Sequence, residues 1–343
     1  MRHDGLENRT AAPDVSPRPD RIKVVVQMVC RAAPTIKILT VADAGGRDLP
    51  VFASGAHVDV VLKSGLVRQY SLCGPLAGRD IYQLAVKRDD HGRGGSKEIH
   101  ETVREGDILY ISPPRNHFPL KAFTGPRILL AGGIGITPIW SMVQQLRRDE
   151  SPFFLYYSIR SRQDAIFLPE IEALALAGHA AIHVDDEAGQ RFLDLDRVLG
   201  TFSGPRHVYC CGPAPLMAAL RQRAAACGEA EVFFESFGVP AAAPPVVSLG
   251  DGGRDEEDIE FHVGVRSIGE RIPVRRDESI LEALEARGLP VESSCRAGTC
   301  GTCRAGYVGG DVLHLDYVLS DEEREAYMML CVSRGVGDIE LDL

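Results

Sequence analysis

The 343-residue sequence contains no apolar run long enough to cross a bilayer. Its longest mostly apolar stretch, Ile128 to Trp140, is glycine-rich and falls short of the ~20 residues a spanning helix needs. The N-terminus also lacks the apolar core of an export signal. "MRHDGLENRTAAPDVSPRPD" is polar and proline-rich, so residues 1–20 read as a disordered tail. Basic excess is missing too, with 38 Lys and Arg against 48 Asp and Glu. Neither a membrane nor a nucleic acid is therefore an expected partner. Nine cysteines without an export signal point to the reducing cytoplasm, where disulfides are disfavoured. No internal repeat is visible.

The acidic excess is confined to one end. Residues 251–343 hold 10 Lys and Arg against 21 Asp and Glu, a net of −11, whereas residues 1–250 come to +1. Such a segment suits docking to a basic protein surface, although an ordinary solvated acidic face has the same composition.

A chain of this length exceeds one hydrophobic core, and the pattern changes twice along it. Between 21 and 124, "IKVVVQMV", "HVDVVL", "VRQYSL", "IYQLAVK" and "DILYIS" are short alternating runs bounded by Gly, Pro or Asp. They read as a small antiparallel barrel or sandwich. Between 125 and 238, apolar strands such as "RILLAGG" and "HVYCCGP" alternate with helical stretches, as in a parallel α/β sheet. Residues 239–258 are rich in Pro, Ala and Gly and read as a linker. From 259 to 343 a mixed β/α unit is expected. It has strands at "DIEFHVG" and "ERIPVRR", a helix opened by a capping box at Ser279 and Glu282, two strands around Gly309-Gly310, and a final "DIELDL".

"SSCRAGTCGTC" crowds Cys295, Cys300 and Cys303 together, and Cys331 follows after twenty-seven residues. Structural zinc usually shows two close C-x2-C pairs, and a second pair is lacking. C-x4-C-x2-C…C is the plant-type 2Fe–2S spacing. A loop wrapping such a cluster turns tightly and aims N–H groups at sulfur, which Gly298 and Gly301 permit. A cluster takes one electron at a time and a nicotinamide gives two, so a flavin between them is required.

"RQYSL" at 68–72, "AVK" at 85–87 and "GRGGS" at 92–96 resemble the flavin site of the ferredoxin–NADP reductase superfamily. That resemblance implies flavin contacts from Arg68, Tyr70, Ser71, Ala85, Val86, Lys87, Gly92, Gly94, Gly95 and Ser96, with Arg68 and the glycine loop on the phosphate. "AGGIGITP" lacks the third glycine of the Rossmann fingerprint, and no acidic residue ends the next strand. Instead Arg160 and Arg162 stand there, where a 2′-phosphate would bind. The G-G-x-G-x-T-P form, with "YCCGP" and "FFESFG", resembles the same superfamily. It implies nucleotide contacts from Gly132, Gly133, Gly135, Thr137, Pro138, Arg160, Gly212 and Pro213. Thr137, Cys211 and Phe237 fall at the reacting centre, with Phe237 over the flavin ring unless it is only core packing.

In this order the three segments resemble the phthalate dioxygenase reductase family, to which vanillate demethylase reductases belong. The resemblance implies a multidomain fold: an antiparallel β-barrel flavin domain, an α/β parallel-sheet nucleotide domain and a β-grasp ferredoxin-like α+β domain. It implies FMN, NADH and a 2Fe–2S cluster held by Cys295, Cys300, Cys303 and Cys331. The expected acceptor is a Rieske-type oxygenase component, the alternative being another one-electron acceptor protein. A plain flavin oxidase leaves the cysteines unexplained, and a zinc module leaves "RQYSL" unexplained.

Overall fold

The computed structural model describes residues 21–343 except 77, 91, 93, 190, 238–258, 277, 294–297, 299–300, 317 and 320. The expected tail, the linker, Cys295 and Cys300 therefore lie outside the described residues.

Six strands build the first sheet: β1 (Ile22–Ala33), β2 (Ile36–Asp43), β3 (His57–Val61), β4 (Val67–Ser71), β5 (Tyr82–Lys87) and β6 (Ile108–Ile111). One helix, α1 (Gly95–Thr102), lies between β5 and β6. The strand order is β4-β3-β6-β1-β2-β5, with antiparallel neighbours. Alternate residues point inward, so Val24, Val26, Val58 and Val60 are buried while Lys23 and Asp59 reach outward. The two outer strands meet where the chain leaves β4 and runs against β5. Leu72 pairs with Leu84, and the Cys73 N–H donates to the Gln83 carbonyl at 3.1 Å. That closure lays "RQYSL" alongside "AVK". β2 was absent from the expected strands, because only Pro34-Thr35 separates it from β1 and its burial does not alternate.

The second sheet is parallel throughout. Its elements are β7 (Arg127–Gly132), a 3-10 turn at Gly133–Gly135, α2 (Ile136–Arg148), β8 (Phe153–Ile159), α3 (Leu168–Leu176), β9 (Ala180–Val184), α4 (Leu195–Leu199), β10 (Arg206–Cys211), α5 (Ala214–Cys227) and β11 (Ala230–Glu235). The order β11-β10-β7-β8-β9 means the chain winds one way to β9 and then returns to the other side of β7. The winding reverses between β7 and β10, and the crevice at such a point is where open α/β sheets bind ligands. One apolar cluster runs across both units, joining Ile36, Ala85 and Phe118 to Trp140, Met142 and Tyr209. Polar ties reinforce it: Ser141 Oγ accepts from the buried Gly55 N–H at 2.9 Å, and Tyr209 Oη accepts from the Lys121 N–H at 2.8 Å.

The third sheet comprises β12 (Ile259–Val265), β13 (Glu270–Arg275), β14 (Arg304–Leu313), β15 (Tyr327–Met329) and β16 (Arg334–Asp342), in the order β13-β12-β16-β14-β15. Helix α6 (Ile280–Ala286) follows β13, and a single turn, α7 (Asp321–Arg324), precedes β15. The capping box forms as expected. Ser279 Oγ accepts from the Glu282 N–H at 3.2 Å, and the Glu282 carboxylate accepts from the Ser279 N–H at 2.8 Å. Only β12 and β16 run parallel, while the other pairs are antiparallel. The sequence suggested two strands around Gly309-Gly310, and the structure corrects this to one strand. The glycines form a bulge inside β14, where the register with β16 slips. A Cβ on Gly310 would sit 2.4 Å from the Asp338 carbonyl oxygen, so the pair serves close approach rather than a turn.

Candidate functional site

The barrel closure assembles the first seat. Arg68 on β4 crosses the N-terminus of α1 so closely that a Cβ on Gly95 would lie 2.5 Å from Arg68 Cγ. Gly94 enters that helix at φ +81 and no side chain caps it, so N–H groups and a guanidinium converge on one spot. This donor set fits a phosphate. Ser96 contributes less than expected, since its hydroxyl already accepts from the Asp89 N–H at 3.0 Å. A Cβ on Gly92 would lie 2.7 Å from Asp89 Oδ2, so this glycine is set by the Asp89 carboxylate. Burial pushes the Tyr70 phenol up despite the nearby Arg68, which suits a neutral hydrogen-bonding ring. On β5, Ala85 faces the cluster shared with the second sheet and Lys87 is exposed. Val86 points into the barrel core, and its carbonyl bonds the His100 ring at 2.9 Å.

Ser71 ends β4 in a buried position facing the second sheet. Its hydroxyl lies within reach of the Glu235 carboxyl but makes no well-aligned bond to it, which leaves it able to turn toward a polar ligand edge. It lies beside Glu235, the last residue of β11, which pairs in register with Cys211. Glu235 sits inside "FFESFG" with no mark of its role in the sequence, because a buried carboxylate gives no signal in a single sequence. Burial pushes the Glu235 carboxyl up to about 8, eased only by Ser71, so the acid is mostly neutral at pH 7. Cys211 is fully buried, and burial together with Glu235 raises its thiol well above the ordinary range. Phe237 follows two residues later and is 46% exposed, which argues against core packing. Ser71, Glu235 and Cys211 thus meet at the junction of the first two sheets, with Phe237 two residues beyond Glu235.

The Glu235 shift has a measurable consequence. Between 4.5 and about 8 the folded chain holds a proton that the unfolded chain releases. Stability therefore falls as pH rises through that window. Glu235→Gln is expected to flatten the slope, read as the change in Tm from about pH 5 to 9. An unchanged slope would mean the carboxyl is ionised in the fold.

At the reversal of winding, the turn after β7 and the turn after β10 interlock. A Cβ on Gly132 would sit 2.6 Å from Pro213 Cδ, one on Gly135 2.1 Å from the Cys211 carbonyl oxygen, and one on Gly212 3.0 Å from Gly132 Cα. Gly133 instead supplies a left-handed turn at φ +54, with open space around it. Helix α2 starts at Ile136, just ahead of the expected Thr137-Pro138, both of which are buried. The Thr137 hydroxyl donates to the Ile134 carbonyl at 3.1 Å and so fixes the turn from within. After β8, Arg160 is exposed, whereas Arg162 is ion-paired to Glu187 at 2.6 Å and to Glu172 at 2.8 Å.

In the third unit, Cys303 precedes β14 and its carbonyl accepts from the Leu330 N–H at 3.1 Å. Strand pairing of Arg304 with Met329 thus brings Cys331 next to Cys303 across the gap in sequence. Both side chains are buried, and the Gly298 N–H donates to Cys331 Sγ at 3.2 Å. Gly298 and Gly301 adopt φ +66 and +74, the angles expected of a loop turning its N–H groups toward sulfur. These features fit a thiolate-held cluster. Gly301 also meets the barrel, since a Cβ there would lie 3.3 Å from His117 Cε1. The His117 ring in turn stacks on His57, with centroids 5.4 Å apart.

Comparison with known proteins agrees with this arrangement. A 2Fe-2S iron-sulfur cluster binding domain matches residues 263–334, and an oxidoreductase NAD-binding domain matches residues 129–222. The chain is 39% identical to the heme-dependent oxidative N-demethylase beta subunit of Ectopseudomonas mendocina (strain ymp), covering 86% of this chain and 90% of that one. It is 37% identical to the phthalate dioxygenase reductase of Burkholderia cepacia, covering 88% and 91% respectively. A solved phthalate dioxygenase reductase, described as modular for electron transfer from pyridine nucleotides to [2Fe-2S], superimposes with a TM-score of 0.68 at 35% identity over 94% of this chain and 98% of that one. With three sheets in the same plan and such coverage, the chain belongs to the phthalate dioxygenase reductase family.

Proposed function

We propose that this reductase carries electrons from NADH through FMN and a 2Fe–2S cluster to a Rieske-type oxygenase component. The observation that carries the reading is that the barrel borders both other units. At Ser71 it meets Glu235 on the nucleotide sheet, and at His117 it meets the cysteine loop. FMN, when bound, accepts a nicotinamide's two electrons together and releases them singly to a cluster.

The residues divide the remaining work. Arg68 and the N–H groups of Gly94 and Gly95 hold the flavin phosphate, while Tyr70 and Ser71 orient the ring and Ala85 and Lys87 flank it. Gly132, Gly133, Gly135, Thr137 and Pro138 shape the turn for the dinucleotide, and Cys211, Gly212 and Pro213 border its nicotinamide. Phe237, exposed two residues beyond Glu235, would cover the flavin ring and would yield that place to the nicotinamide. The neutral Glu235 offers a proton donor in a site closed to bulk water, with Ser71 and Cys211 as neighbours. Holding donor and acceptor in a fixed register is what direct hydride transfer would require. Cys303 and Cys331, with Cys295 and Cys300, hold the cluster.

Cys30, Cys73, Cys210, Cys211 and Cys227 are free thiols, which suits a cytoplasmic location. No described helix is long and apolar enough to cross a membrane.

Anaerobic stopped-flow mixing with NADH should bleach the flavin band first, then the cluster band, then reduce an added oxygenase. The last step should slow as salt is added, because residues 251–343 carry the net of −11 and exposed charges are screened beyond ~8 Å at physiological ionic strength. Flavin reduction within a preformed complex should change far less. A transfer step indifferent to salt would place the contact on an uncharged face. A second acceptor class has one observation in its favour, the similarity to the beta subunit of a heme-dependent N-demethylase. Reduction of a haem protein but not of Rieske oxygenases would favour it.

A further inference from the structure

Dinucleotide-binding sheets commonly end their second strand with an acid on the ribose 2′-hydroxyl or with an arginine for a 2′-phosphate. Here that strand is β8, and its exit carries Arg160 and Arg162 but no acid. Space supplies what sequence order withholds. The backbone beyond β9 continues along the exit of β8, with the Asp185 N–H on the Ile159 carbonyl at 2.9 Å and the Asp186 N–H on the Arg160 carbonyl at 3.1 Å. This lays Asp185, Asp186 and Glu187 beside the two arginines. Glu187 then grips Arg162 through both oxygens, Oε1 to Nε at 2.6 Å and Oε2 to Nη2 at 3.2 Å. Glu172 on α3 takes the remaining Nη1 at 2.8 Å.

We infer that Glu172 and Glu187 select NADH over NADPH by occupying Arg162, the guanidinium that a 2′-phosphate would otherwise claim at the end of β8. This deepens the function proposed above and rests on it. Planar forks of this kind suit carboxylate and phosphate equally, so the two compete for the same donors. Two guanidiniums, Arg160 and Arg162, against the carboxylates of Glu172, Glu187, Asp185 and Asp186 leave the spot with a net of −2. A phosphate monoester carrying about −1.5 to −2 charges at pH 7 is then denied the Arg162 fork and repelled by the net negative charge. Each ion pair is exposed and adds little to fold stability, so the cluster is free to serve selection.

The test uses the holoprotein and compares kcat/KM for flavin reduction by NADPH and by NADH. It also measures dissociation constants of NADP+ and NAD+ by calorimetry. The double variant Glu172→Gln/Glu187→Gln should raise the NADPH to NADH ratio at least about tenfold and tighten NADP+ relative to NAD+ to match. Adding Arg162→Ala to that background should cancel the gain, while Arg162→Ala alone should leave the ratio low. A double variant with unchanged ratio overturns the inference, as does a gain that survives loss of Arg162. A wild-type chain preferring NADPH overturns the inference while leaving a nicotinamide-driven reductase intact. One whose flavin responds to neither nucleotide overturns that broader reading and the inference with it.

Discussion

Cys303→Ser is expected to abolish the red-brown cluster absorption while the flavin stays bound and is still reduced by NADH. The side chain is 2% exposed and nearly isosteric with serine, so the third unit keeps its core. What changes is the ligand. A serine hydroxyl does not ionise near neutral pH and is a poor donor to iron, whereas four thiolates define the plant-type site. Transfer to any one-electron acceptor that takes its electrons from the cluster should fall to background. Cys227→Ser is the control, because that thiol lies in the second unit within 2.8 Å of Arg206 Nη2. It should leave the spectrum unchanged. Zinc in place of iron in anaerobically purified wild-type protein would sink the assignment.

Gly135→Ala should have the second large effect, and for lack of space rather than backbone strain. Its φ is −59, which any residue adopts. The added Cβ, however, would lie 2.1 Å from the Cys211 carbonyl oxygen and 2.9 Å from the Gly212 nitrogen, both backbone atoms. Rotating a side chain cannot relieve that, so the turns after β7 and β10 must part. The cost is at least the ~1–3 kcal/mol of an overpacked core, and the nicotinamide seat opens with it. KM for NADH should rise by an order of magnitude or more, with a lower Tm. Gly133→Ala is the contrast: its φ of +54 penalises alanine by about 1–2 kcal/mol, but nothing stands within 4 Å of the new atom. It should lower stability mildly and retain more affinity. Equal KM in both variants would show that the interlock does not shape the site.

Much of this arrangement is legible in the chain because its signals are local. The alternating runs, the glycine turn after β7 and the C-x4-C-x2-C spacing each report a structure made by neighbours in sequence. Misses arise where neighbours in space decide. β2 is hidden by a two-residue connection, and α1 by an entry through Gly94 without a capping side chain. Gly309-Gly310 resembles a turn until β16 is seen pressed against it. Glu235 becomes notable only once the barrel buries it, and the acid wanted at β8 arrives from α3 and from beyond β9. The resemblance to a family supplied the flavin residues, yet it did not distinguish Ser96, tied to Asp89, from Gly95, set against Arg68.

The apolar cluster running from Ile36 and Ala85 to Trp140 and Tyr209 bears on how the molecule comes apart. The barrel and the nucleotide sheet share those side chains, so neither can lose its order without stripping the other. The third unit buries a separate set, from Phe261 to Leu341, which among the described residues has no member from the first two. Denaturant should therefore unfold the chain as two cooperative blocks rather than three, with the third unit melting and refolding on its own while its neighbours stand; a single coincident transition for all three would refute this. The same division marks the third unit as the detachable one, a module that gene fusion or loss can add or remove without reopening the seat between the first two.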